Sequence, residues 1–200
     1  MTLLDHPLIS ERYFFPRAAR PRARLDVAVE GATLACALHR ADPDGHAVVH
    51  FHGNGEVVAD WQDGFDRVIN RLGWDLLLAE YRGYGGSTGQ PQLGRMLDDV
   101  AAVMAAAGPP ERLVVFGRSV GSLFALEAVA RCPEVAGLVL LLHARHDGLV
   151  DVSHAERLAA WAGGPASLRI FEEGDHNSIL AENQEAYLDL LAAFLARARR

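Results

Sequence analysis

The chain contains no lysine: all 19 of its basic residues are arginine, against 26 acidic ones, for a formal charge of −7. An acidic balance of this size argues against a nucleic-acid binder, because recognition of a phosphate backbone needs a basic surface. The one basic cluster, Arg17 to Arg24 (RAARPRAR), reads as a solvated N-terminal arm. Cysteine is scarce as well. Cys36 and Cys132 make neither a disulfide framework nor a metal pattern, and their apolar surroundings suit core filling. No apolar run approaches the length of a membrane span. The opening MTLLDHPLISERYFFPR carries acidic residues and a proline where a signal peptide needs an unbroken apolar stretch. Together these absences predict a cytoplasmic protein without a transmembrane segment.

What is present fits one globular domain over 1–200, half of it apolar. Residues 24–29 and 32–40 read as two strands joined across Glu30-Gly31. Further strands are predicted at 47–53, 74–83, 112–117, 137–144 and 167–171. Helices are predicted at 57–72, 93–107, 120–131, 153–162 and 178–198. In the first of these helices Trp61, Phe65, Val68, Ile69 and Leu72 form the apolar stripe. Wholly apolar strands alternating with helices indicate an α/β fold, a mostly parallel sheet covered on both faces.

Gly117-Arg118-Ser119-Val120-Gly121 falls between a predicted strand and a predicted helix, the context that makes a G-x-S-x-G motif a nucleophile elbow. Gly117 and Gly121 permit the close turn that lifts the Ser119 hydroxyl above the sheet end. A serine nucleophile needs a base, and the base an orienting carboxylate. Of nine histidines, only His176, in EEGDHNS, follows both Ser119 and a carboxylate placed just beyond an apolar strand. That carboxylate is Asp147, in HARHDGLVD. Asp151 reads as solvent-facing or capping, and Asp175, adjacent to His176, is a weaker rival for the acid role.

HFHGNGE (50–56) offers a second turn at a strand end. The backbone N–H groups of Asn54 and Val120 are the candidate oxyanion donors, with His52 and Gly53 supporting the turn. YRGYGGSTG (81–89) lacks the ending of a phosphate loop and the dinucleotide spacing; Tyr81 and Arg82 are expected to organise the wall of the site. His50 and His52 share one strand face but lack the acidic company of a metal site, so no metal is assigned. The chemistry requires no cofactor.

The ordered set HFHGNGE, EYRGYGGSTG, GRSVGS, HARHDGLV and GDHNS resembles the α/β-hydrolase superfamily, and within it the small serine hydrolases of the BEM46-like, ABHD12/13/17-like group. The resemblance spans nearly the whole chain. It implies an α/β-hydrolase fold with Ser119 as nucleophile, Asp147 as acid and His176 as base, acting on small-molecule or lipid acyl esters. The sequence departs from the family in one place. Relatives interpose some tens of residues before the acid-bearing strand, whereas here the interval is only GLVLLLHARHD. A parallel crossover needs about a dozen residues or more, so 137–144 supplies one strand, and the cap region is missing. That strand is expected beside the strand of Ser119, shifting Asp147 inward by one lane of roughly 4.8 Å. The expected result is a shallow site without a lid, with an apolar patch suited to peripheral membrane contact. Two alternatives stay open: an amidase or peptidase of the same fold, and a catalytically weak scaffold or interaction protein.

Overall fold

The computed structural model describes residues 3–135, 138–162 and 165–199. The chain divides into two compact units, Met1–Val135 and Ala136–Arg200. In the first, α1 (Pro7–Tyr13), β1 (Arg24–Val29) and β2 (Ala32–His39) precede β3 (Ala47–Phe51), α2 (Phe65–Arg71) and β4 (Asp75–Ala79). α3 (Leu93–Ala107), β5 (Leu113–Gly117) and α4 (Gly121–Arg131) complete it. The second unit contains β6 (Val139–Ala144), α5 (Val152–Trp161), β7 (Ala166–Phe171), α6 (Ile179–Glu182) and α7 (Gln184–Ala198).

The first unit is built on a five-stranded sheet of order β1-β2-β4-β3-β5. β1 and β2 form the expected antiparallel hairpin, Val29 opposite Ala32, and Gly31 takes the left-handed conformation its tight turn requires (φ 70°). β2 runs antiparallel to β4, and β4, β3 and β5 are mutually parallel. Every residue of β3 and β4 is buried, as apolar strands sandwiched between helices should be. α3 presents Met96, Val100, Val103, Met104 and Ala107 to the core, one face of a 3.6-residue period. The second unit holds a two-stranded parallel sheet, with Val139 opposite Ala166 and Ala144 opposite Phe171.

Two expectations need correction. The helix predicted over 57–72 is a 3-10 turn at Val58–Trp61 followed by the separate α2. Asp63 has φ 70°, and the Gln62 amide exchanges two hydrogen bonds with the Arg22 backbone, so a long-range contact overrides the apolar stripe. Leu72, counted in that stripe, is exposed. The terminal helix is interrupted at Asn183, whose side chain bonds the carbonyls of Glu173 and Ile179 in competition with the helical ladder. In the second unit β6 pairs in parallel with β7. Gly137, the first residue of the expected strand, lies outside the described residues.

Candidate active site

In the first unit, β3 and β5 are neighbours with Phe51 level with Gly117, so the chain leaves both strands side by side. The turn after β5 is as tight as the motif predicts. A Cβ on Gly121 would lie 2.1 Å from the Phe51 carbonyl oxygen, and one on Gly117 2.5 Å from that of Gly121; only glycine fits either place. Ser119 has φ 53°, a left-handed conformation that costs an L-residue energy and persists where the surroundings impose it. The Arg118 N–H donates to the Phe51 carbonyl at 3.0 Å, tying the turn to β3.

The loop after β3 is held from within the core. His52 is buried, its Nε2 2.7 Å from Glu80 Oε1 and its Nδ1 2.8 Å from the Gly53 carbonyl. Both ring nitrogens are engaged, which suits a loop holder rather than a catalytic base. Tyr81 donates its hydroxyl to the His52 carbonyl at 2.7 Å. Glu80, equally buried, also accepts the Val58 and Tyr81 N–H groups. The Gly53 N–H donates to Glu56 at 2.7 Å, and Glu56 also receives Trp61 Nε1 and pairs with Arg118. Among the described residues the N–H groups of Asn54 and Val120 donate to no other group of the protein, leaving both available as donors.

Arg82 does not line a site wall. It is buried against Asp99 in a two-point ion pair (2.6 and 2.7 Å) and bonds the Glu30 carbonyl, which ties α3 to the β1–β2 turn. His50 and His52 do not share surroundings either. His50 packs among Trp61, Phe65 and Phe116, and burial, then the charges of His52 and Arg118, lower its basicity. Among the described residues no group of three or more His, Cys, Asp or Glu side chains is placed to hold a metal.

In the second unit the two sequence-selected partners meet. Asp147 Oδ2 lies 2.7 Å from His176 Nδ1, while Asp147 Oδ1 accepts the N–H groups of Leu149 (2.8 Å) and Val150 (2.9 Å). Burial alone would raise the Asp147 carboxyl, but the Val150 N–H, His176 and the Leu149 N–H outweigh it and hold the group below its ordinary range. In the tautomer with the proton on Nδ1, the His176 ring donates to the Asp147 carboxylate. His143 approaches the same oxygen at 3.9 Å, beyond hydrogen-bond range. The two rival acids have structural duties: Asp151 caps α5 through the Ser153 N–H, and Asp175 accepts the N–H groups of Asn177 and Ser178. Glu80, Glu56 and Tyr84, all functional in holding the loop, escaped the sequence reading. An acid ending the apolar run of β4 was the one available signal.

The fold defines a class, the α/β-hydrolases. The profile of the family "Serine aminopeptidase, S33" matches residues 42–141, half of the chain, and the chain belongs to that family. The match contains Ser119 and stops before Asp147. Human "alpha/beta hydrolase domain-containing protein 17B" is 22% identical over 211 positions, covering 84% of this chain and 73% of that protein. Those 211 positions exceed the whole 200-residue chain, so the relative carries internal residues without counterpart here. The uncharacterised protein YfhR of Escherichia coli K12 is 21% identical, covering 76% of this chain and 70% of that protein. Among solved structures, an esterase of Pyrococcus furiosus superposes with TM-score 0.76 at 13% identity, covering 94% of this chain and 98% of its own. The ferulic-acid-bound Est1E of Butyrivibrio proteoclasticus does so with TM-score 0.74 at 13% identity, covering 87% and 98%. These likenesses establish the α/β-hydrolase fold. No helix among the described residues is long and apolar enough to cross a membrane.

Proposed function

We propose that the chain is a serine hydrolase cleaving carboxylic (acyl) esters, its two units acting as one catalytic domain. The observation that carries this reading is the Asp147–His176 contact at 2.7 Å, combined with a serine held at positive φ on a glycine-flanked elbow. His176 Nε2 takes the Ser119 hydroxyl proton as Oγ attacks the ester carbonyl, while Asp147 stabilises the imidazolium. The oxyanion is received by the N–H groups of Asn54 and Val120. Collapse of the tetrahedral adduct breaks the bond to the leaving alcohol, which departs with the proton from His176. Water, deprotonated by the same imidazole, then attacks the acyl-enzyme and releases the acid and Ser119. The chemistry requires Ser119 Oγ to reach His176 Nε2 across the two units.

The human relative has internal residues that this chain lacks; we assign the shortening to the 137–147 junction from the brevity of GLVLLLHARHD, and with it an open site without a cap. Leu149 and Val150, two and three residues after Asp147, are 74% and 38% exposed, which supports an acyl or peripheral membrane contact beside the acid. The family description favours one rival, an aminopeptidase. Activated esters of graded acyl length and aminoacyl anilides, assayed with the unaltered chain and Ser119→Ala, decide between them. Ester turnover that Ser119→Ala abolishes upholds the proposal. Preferential anilide cleavage moves the assignment to the aminopeptidase, and no turnover of either by folded protein moves it to a noncatalytic scaffold.

A further inference from the structure

The segment before β1 belongs to no sheet, yet it is sewn to the loop after β3. Asn54 Nδ2 donates to the Tyr13 carbonyl at 2.6 Å. Asn54 Oδ1 accepts from the Phe15 N–H at 3.1 Å and from the Tyr84 hydroxyl at 2.8 Å, and the Phe15 N–H also lies 2.9 Å from the Tyr84 oxygen. One residue pair further on, Arg17 Nε donates to the Gly55 carbonyl at 2.6 Å, and its guanidinium pairs with Asp60. The Arg17 carbonyl in turn accepts the Gly85 N–H at 2.8 Å. Tyr84 is fully buried, and burial pushes its hydroxyl up to about 12, so it remains a neutral donor at any working pH.

These bonds converge on one peptide. From the core side, Glu80, Tyr81 and Glu56 hold His52 and Gly53. From the outer side, Tyr84 and the N-terminal strap hold the Asn54 side chain and the Gly55 carbonyl. Between the two clamps lies the Asn54 N–H. The strap is poorly suited to stabilising the fold by burial: Tyr13 and Phe15 are 65% and 58% exposed, and Phe14 is its buried anchor. What it contributes is aimed hydrogen bonds.

We infer that Tyr84 and the strap Tyr13–Arg17 are positioning residues that orient the Asn54 N–H toward the developing oxyanion; the inference rests on the serine-hydrolase reading above. A misaimed donor is felt in the transition state more than in substrate binding. Removing the tether while leaving the N–H in place should therefore lower kcat and spare KM.

Three variants test this. Tyr84→Phe removes the hydroxyl and keeps the ring, Asn54→Ala keeps the backbone N–H and drops every side-chain link, and Arg17→Gln changes only the exposed part of the strap. In ester hydrolysis, Tyr84→Phe and Asn54→Ala should each lose about tenfold in kcat, less than loss of a whole oxyanion donor. KM should stay within about twofold, and fluorophosphonate labelling of Ser119 should slow in parallel. Arg17→Gln, safest for folding, should show the same split with a smaller loss. If the unaltered chain is labelled at Ser119 and the folded variants keep their kcat, or lose only in KM, the positioning inference alone is overturned. If the folded, unaltered chain is not labelled, the hydrolase reading fails and the inference falls with it.

Discussion

The strands of the two units lie in different surroundings. In the first, β3 and β4 are buried at every position. In the second, β6 (VLLLHA) is half-exposed at every position but Ala144, and β7 is half-exposed or exposed at every position but Phe171. Its buried apolar residues, among those described, are Ala144, Ala155, Phe171, Tyr187, Leu191 and Leu195. An apolar run thus specifies a strand without securing its cover; cover comes from the strands and helices available on either side. A two-stranded sheet is marginal on its own account, and the loops after its strands carry the Asp147–His176 contact. The proposed nucleophile and the candidate oxyanion donors stand on the better-buried unit.

The contrast can be broken first at Glu80. Glu80→Ala leaves buried His52 and the Val58 N–H without their partner, and should cost about 4 kcal/mol of stability, read as the shift in chemical denaturation. A milder return of stability with Glu80→Gln would show that hydrogen bonding, beyond charge, holds the loop. Next, Leu77→Ala in β4 should cost about 3 kcal/mol, whereas Leu141→Ala in β6, already half in solvent, should cost roughly 1 kcal/mol. Equal losses would contradict the difference in burial. Amide exchange sharpens the same point: protection in β6 and β7 should be lost through sub-global opening before that in β3 and β4.

The smallest effect concerns pH. Asp147 titrates below its ordinary value, so its ionised form contributes its full stabilisation above about pH 4. That contribution is lost as the pH falls through the lower folded value. Asp147→Asn should flatten the acid side of the stability curve without abolishing it, because Asp151, Glu172 and Asp175 in the same unit are lowered too.

Much of this arrangement is written locally. The α3 stripe, the Glu30-Gly31 turn and the strand–turn–helix around Ser119 depend on residues near in sequence. The meeting of Asp147 and His176, 29 residues apart, was legible because both follow apolar strands that turn out to be ladder neighbours. What stayed hidden depends on distant partners: Gln62 is drawn off the helix by Arg22, His52 is held by Glu80, and Asn54 is bound to the strap 39 residues earlier.

The central claim is that the acid–base pair of the second unit activates the serine of the first. Intact-mass labelling with a fluorophosphonate tests it most directly, using the unaltered chain, Ser119→Ala and His176→Ala. The account predicts a single rapid adduct on the unaltered chain, none on Ser119→Ala, and labelling slowed by about a thousandfold or more on His176→Ala. No adduct on the folded, unaltered chain, or equal rates with and without His176, would contradict it.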